Sequence, residues 1–272
     1  MTQLDTGTDD LLAEVDDGVA VLTMNRPQRR NALSQAMLTA MDRILCEFEV
    51  DDGVGCVVLT GAGGAFCAGG DVKAMAERSA AEREQTLDAV IHHQRLRQRG
   101  TSGRLWQMPK PTIAAIGGPA AGAGLSLALA CDLRYAVESA VLTTAFARVG
   151  LSGDYGGTWF LTRLVGSARA RELYYFSDRL TAADAERLGI LNAVFPAADF
   201  DAEIMRRARS LASGPRLAYR YMKENLNRAA DGELGECMDI EATHHIHTGL
   251  TEDHREASKA FVERREPRFT GR

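Results

Sequence analysis

Cysteine is sparse in this chain and is not arranged for cross-linking. The five residues, Cys46, Cys56, Cys67, Cys131 and Cys237, include no C-x-x-C pair, and their number is odd. A disulfide framework is excluded on that count, and a reducing compartment fits better. No uninterrupted apolar stretch is long enough to span a membrane. Met1 to Asp17 is polar and acidic, without the basic flank and apolar run of a signal peptide. The expected location is therefore cytoplasmic, with no membrane partner. An excess of basic charge is missing too. The net charge is -5, which argues against a general nucleic-acid binder. Internal repeats and low-complexity tracts are absent.

What is present suits a large folded unit. The chain has 272 residues and is 45% hydrophobic, enough for one large domain or one domain with a helical appendage. Val19 to Met24 reads as a strand, broken by NRPQRR. Ser34 is a candidate N-cap for a helix through about Phe48, with Met37, Leu38, Met41, Ile44, Leu45 and Phe48 on one face. Cys56 to Thr60 reads as a buried strand, and Gly61 to Asp71 as a glycine-rich loop. Ala74 to Arg99 is helical in composition, interrupted at Thr101 to Gly103. A strand at Thr112 to Ile116 leads into a second glycine-rich turn, Gly117 to Gly124. A small apolar helix, Leu125 to Ala130, and a strand at Leu133 to Val137 follow. The order of strand, glycine turn and helix predicts an α/β core. From about Ser167 the chain reads as helical. Thr181 with Asp184 resembles a capping box, and Thr251 precedes two acids suited to a first helical turn. The expected division is a core over residues 1–200 and a helical region over 201–272.

The two glycine turns can aim backbone N–H groups at a negative charge, and a helix N-terminus strengthens the effect. Two such turns on neighbouring strands can place two donors on one oxygen, which is an oxyanion hole. Losing one such donor costs about 3–4 kcal/mol of transition-state stabilisation. The same glycines also serve tight turns and close packing alone. A nucleotide-binding loop is set aside, because Gly61-Ala62-Gly63-Gly64 lacks G-x-G-x-x-G spacing and no G-K-[ST] occurs.

At these residues the chain resembles the crotonase, or enoyl-CoA hydratase/isomerase, superfamily. The segments NRPQRRNALS, LTGAGGAFCAGGDVKAM, PKPTIAAIGGPAAGAGLSLALACDLRYA and GGTWFLTRLVGSARARELYY stand in family order. The ending TEDHREASKAFVERREPRFTGR also matches. The resemblance implies a spiral of ββα units with a C-terminal helical oligomerisation region, assembled as a trimer or dimer of trimers. It implies an acyl-coenzyme A thioester as the partner molecule, with coenzyme A entering as part of the substrate and no separate cofactor. It implies that the N–H groups of Gly70 and Ala123 hold the thioester carbonyl. Ala68, Asp71 and Val72 would line the coenzyme A path, and Arg29 and Arg30 would approach its nucleotide end. Phe261 and Arg264 would reach the coenzyme A of a neighbouring subunit. A guanidinium at such places is suited to pairing with phosphate.

Most hydratases of this family add water with two glutamates. The positions that match them here carry Ser126 and Phe146. Phenylalanine cannot transfer a proton, and an unassisted serine is a poor acid or base. Asp154 remains nearby. The segment AFARVGLSGDYGG resembles that of the phenylacetate-pathway ring-epoxide acyl-CoA isomerase group, whose acid/base aspartate it matches. One carboxylate suits isomerisation, since it can take a proton from one carbon of a 3-enoyl thioester and return it at another. That task needs a pKa raised by burial from an ordinary value of about 3.9, with Phe146, Leu151 or Trp159 as candidate neighbours. The other reading of Asp154 is a cap on the turn before Gly156-Gly157.

Three further readings stay open. The first is hydration by a non-standard arrangement. The second is use of Asp154 as a nucleophile, as the resemblance to 4-chlorobenzoyl-CoA dehalogenase implies, with His92 or His93 near the base position at about Arg99. The third is a non-catalytic acyl-CoA binder. RNA binding, known among relatives, is disfavoured by the acidic balance. His244, His245 and His247 read as surface residues, Cys67 as a small packed side chain, and Trp106 and Met108 as packing residues.

Overall fold

The computed structural model describes residues 2–71 and 86–272. In chain order the strands and helices are β1 (Thr2–Leu4), β2 (Leu11–Asp16), β3 (Val19–Met24), α1 (Gln35–Val50), β4 (Cys56–Gly61), α2 (Leu87–Gln98) and α3 (Arg104–Gln107). Then follow β5 (Thr112–Ile116), β6 (Ala120–Ala121), α4 (Ala123–Ala130), β7 (Leu133–Val137), β8 (Val141–Thr143), α5 (Gly157–Phe176), β9 (Leu180–Thr181), α6 (Ala182–Arg187) and β10 (Ala193–Phe195). The last four helices are α7 (Phe200–Ala212), α8 (Arg216–Ala229), α9 (Leu234–Gly249) and α10 (Glu252–Glu263).

Two sheets run through the core. The larger has the order β1-β2-β3-β4-β5-β7-β10, and the smaller β6-β8-β9. From β3 to β10 the large sheet is parallel. Its central strands are buried almost throughout, and β5 is buried at every position, as expected of strands covered on both faces. Each turn of the chain places one strand in each sheet. β5 is followed by β6, and β7 by β8. The earlier turns end in bridges instead of full strands, Leu33 with Gly70 and Cys67 with Ala120. The chain is thus the expected α/β spiral, and the spiral brings the two glycine segments side by side.

The strands, the Ser34 cap and the α1 face agree with the sequence reading. Ser34 Oγ accepts from Met37 N–H at 3.0 Å, and the six apolar side chains named on that face are buried. Thr181 Oγ1 accepts from Asp184 N–H at 3.1 Å and donates to the Asp184 carboxylate. Thr251 accepts from His254 N–H.

Four readings need correction. The N-terminal segment contributes β1 and β2, whose short, mixed sequences carry little pattern of their own. Thr101 to Gly103 does not interrupt the helix. It forms a π-helical turn over Arg99–Gly103 that leads directly into α3, with the Thr101 and Ser102 hydroxyls bonded to the Arg97 and Gln98 carbonyls. The helix after the second glycine turn begins at Ala123, two residues before Leu125. The long helix α5 begins at Gly157, ten residues before Ser167, and breaks at Gly166, where φ is +75°. The part of the helical reading over 72–85 lies outside the described residues.

Beyond residue 200, α7 packs on the large sheet and buries Phe200, Ile204, Ala208 and Ala212. Helices α8, α9 and α10 bury little. Met222, Leu226, Leu234, Met238, Ile246 and Leu250 are exposed along α8 and α9 and in the turn after α9. No helix among the described residues is long and apolar enough to cross a membrane.

Candidate active site

The turn between β3 and α1 organises the first glycine loop. Asn31 is fully buried and left-handed (φ +57°). Its Oδ1 accepts from Arg26 N–H at 2.9 Å, and its Nδ2 donates to the Ala62 and Ala65 carbonyls, both at 2.8 Å. Sequence reasoning assigned Asn31 no role. The available signal was a polar, αL-tolerant residue next to a basic run that breaks a strand. Arg26 closes the same unit through an ion pair with Asp71 at 3.2 Å and a bond to the Ala32 carbonyl at 2.6 Å.

Held this way, the loop meets the start of α4 backbone to backbone. A Cβ on Gly69 (φ +90°) would stand 2.8 Å from the Ala121 carbonyl and 3.2 Å from Ala123 N. A Cβ on Gly124 would collide with Cys67, at 2.5 to 2.7 Å from its carbonyl, Cβ and Sγ. Only glycine permits this approach. Leu33 N–H donates to the Gly69 carbonyl at 2.8 Å, so the Gly70 N–H lies outside that bond. Ala123 is the first residue of α4, where a helix leaves its N–H groups unpaired. The Gly70 and Ala123 amides therefore belong to adjoining segments, as two donors to one oxygen require.

Cys67 is packed and inert. It is fully buried, its Sγ donates to the Asn31 carbonyl at 3.0 Å, and burial pushes its thiol pKa up to about 12.

Asp154 lies two residues before the Gly156-Gly157 turn that opens α5. Its Oδ1 is buried and has no hydrogen-bond partner among the described residues. Burial raises its pKa to about 6. The main chain closes the turn, because Gly157 N–H donates to the Asp154 carbonyl oxygen at 3.1 Å. A carboxylate engaged as a cap would have its charged form favoured and its pKa lowered. The opposite shift separates Asp154 from the capping reading.

Of the three neighbours expected to bury Asp154, Leu151 is half exposed. The charge of Asp154 is instead felt by Tyr155 and Tyr174, whose pKa values rise mainly by burial and further through that carboxylate. Tyr155 is fixed by α2. Its N–H donates to Gln98 Oε1 at 2.7 Å, and its hydroxyl bonds the Gln94 side chain. Phe146 is buried and stacks on Tyr174, with ring centroids 5.9 Å apart and planes 8° from parallel. Ser126 is buried on α4, with its Oγ 3.3 Å from the Gly122 carbonyl.

The remaining sequence candidates divide by location. Ala68 is exposed at the loop surface, and its N–H donates to the Arg30 carbonyl at 2.9 Å. Arg29 and Arg30 are exposed on the same turn, which fits a charged partner at that rim. Asp71 is held by Arg26. Val72 lies outside the described residues. Phe261, 86% exposed, and Arg264 stand on the C-terminal helix and its left-handed cap. His92 and His93 are exposed on α2, and the side chains of that helix that reach the Asp154 loop are Gln94 and Gln98. His244 stacks on Tyr221 and bonds the Asn225 side chain. Met108 is fully buried, and Trp106 packs edge-on to Trp159.

These features agree with comparisons to known proteins. A family model described as enoyl-CoA hydratase/isomerase matches residues 14–272. A protein of Escherichia coli (strain K12) named 1,2-epoxyphenylacetyl-CoA isomerase is 36% identical over 262 residues, covering 96% of this chain and 98% of the relative. The mitochondrial enoyl-CoA hydratase domain-containing protein 2 of Bos taurus is 37% identical over 266 residues, covering 96% of this chain and 87% of the relative. Among solved structures, an enoyl-CoA hydratase from Bacillus anthracis superposes with a TM-score of 0.89 at 32% identity, covering 97% of this chain and 100% of that one. The chain has the crotonase fold and belongs to the enoyl-CoA hydratase/isomerase family.

Proposed function

We propose that this protein isomerises an acyl-CoA thioester through an enolate, with Asp154 as the single acid/base. The observation that carries the reading is the Asp154 carboxylate, buried, unpartnered at Oδ1 and raised to about 6. Near neutral pH such a group exists largely as a base and returns a proton readily once it holds one. The Gly70 and Ala123 N–H groups hold the thioester oxygen as negative charge develops on it. Asp154 removes a proton from C2 or C4 of a 3-enoyl thioester, the dienolate is held, and the proton returns at the other carbon. Ser126 and Phe146 stand where a two-glutamate hydration mechanism needs carboxylates, which favours isomerisation over hydration. The 36% identity to a protein named 1,2-epoxyphenylacetyl-CoA isomerase supports the same preference.

Coenzyme A enters with the substrate and no other cofactor takes part. Arg29, Arg30 and Ala68 form the rim for it, together with the segment that contains Asp71 and Val72. The protein assembles as a trimer or dimer of trimers, in which Phe261 and Arg264 serve a neighbour's site. The apolar exposure along α8 and α9 supports that assembly.

The test is ultraviolet absorbance with a medium-chain 3-enoyl-CoA, following the conjugated 2-enoyl thioester. The band should grow with the native protein and not with Asp154→Asn, while coenzyme A affinity stays the same. Absence of the band with binding intact removes general enoyl isomerisation.

A further inference from the structure

Tyr174 occupies a position that the single-carboxylate mechanism does not use. It comes from the far end of α5, yet its ring lies flat on Phe146. Its hydroxyl reaches the residue that stands in the other vacated glutamate position. A Cβ on Gly157 would stand 2.6 Å from the Tyr174 hydroxyl and 2.3 Å from Ser126 Oγ. The two hydroxyls therefore meet over one glycine and are in hydrogen-bonding contact. A Cβ on Gly153, the residue before Asp154, would stand 3.7 Å from the same phenol oxygen. Gly157 is thus required where it is, because any larger residue would push the pair apart.

Ser126 lies three residues after Ala123 on α4, which is about one helical turn and roughly 4.5 Å of rise. A hydroxyl pair at that distance from the oxyanion donor faces the third and fourth carbons of a bound acyl chain, and not its thioester end. Burial and the nearby Asp154 charge both raise the Tyr174 pKa, so the phenol stays protonated and acts as a donor.

We propose that Tyr174, positioned by Phe146 and Ser126, is a specificity-determining residue that donates a hydrogen bond to an oxygen on the third or fourth carbon of the acyl group. The preferred substrates are then acyl-CoA thioesters oxygenated at that place, in preference to plain hydrocarbon chains. The inference rests on the proposed seating of the thioester by Gly70 and Ala123. A buried hydroxyl pair with one donor to spare is left unmatched by a hydrocarbon, and that mismatch is what discriminates.

Calorimetric titration with phenylacetyl-CoA and 2-hydroxyphenylacetyl-CoA tests this on the full chain. The native protein should bind the hydroxylated thioester about tenfold more tightly. Tyr174→Phe, which keeps the stacked ring, should abolish the preference and leave the phenylacetyl-CoA affinity unchanged. Ser126→Ala should reduce the preference. Equal affinities in the native protein overturn the proposal, as does a preference that persists in Tyr174→Phe. Equal weakening of both ligands by Tyr174→Phe makes the residue a packing group and also overturns it. The titration needs no turnover, so it separates this inference from the isomerase reading. Asp154→Asn should keep the preference while losing isomerisation, and a native protein that discriminates without isomerising fails the reaction reading only.

Discussion

Asp154 is subject to two opposed demands. Its burial makes it a base near neutral pH and makes the folded state less tolerant of its charge. The sign follows from the direction of the shift. With the folded pKa raised to about 6 and the unfolded value at about 3.9, the carboxyl adds no penalty below the unfolded value. The penalty grows as pH rises through the folded one. Asp154→Asn should therefore stabilise the protein by about 1–2 kcal/mol at about pH 8, after allowance for partial solvent screening. The gain should vanish below about pH 4, and denaturant midpoints at the two pH values check it. Isomerisation by the native protein should fall as pH drops through about 6, because the base form is lost. A pH–rate profile that stays flat across that range would place the proton transfer on another group.

The first turn of α4 is an element whose position decides the site. It lies where it does because Gly124 lets the helix touch Cys67 across the first glycine loop. Gly124→Ala should cost about 1–3 kcal/mol, the range for overpacking a tight contact, and turnover should fall as the Ala123 N–H moves away. Chemical denaturation and initial rates read the two effects. Gly235→Ala on α9 is the control. A Cβ there meets nothing within 4 Å, so the helix should gain up to about 1 kcal/mol. The beginning of this element was the least legible part of it. Gly122 has φ +53° and reads as turn, and the switch to helix at Ala123 leaves no mark in composition.

At the scale of the molecule, one buried cation ties the C-terminal helices to the sheet. Lys223 on α8 donates to the Leu105 and Lys110 carbonyls at 3.0 and 3.1 Å, and to Asp132 at 2.8 Å. Asp132 also accepts from the Thr112 N–H and hydroxyl, at 2.8 and 3.0 Å, so the pair joins α8 to β5 and to the start of β7. Lys223→Ala should cost about 3 kcal/mol, since it leaves the carboxylate without its counter-charge. The loss is measurable as a lower thermal midpoint. Sedimentation of the native protein should give a multiple of three chains. A single-chain mass would remove the proposed assembly and leave the apolar faces of α8 and α9 uncovered.

Local pattern alone determined the parallel strands, the Ser34 and Thr251 caps and the inert Cys67, because propensity, burial pattern and capping act within a few residues. The motifs around Gly70, Ala123 and Asp154 pointed to the family for the same reason, since each is contiguous. Tertiary structure decided what depended on distant residues meeting. Asn31 bonds residues more than thirty positions away, Tyr174 comes from the far end of a helix to stand over Ser126, and Lys223 crosses more than ninety residues to Asp132. β1 and β2 form because β3 offers an edge to pair with, not because their own residues insist on it. Contacts of that kind are set by the three-dimensional path of the chain, and sequence spacing carries no measure of it.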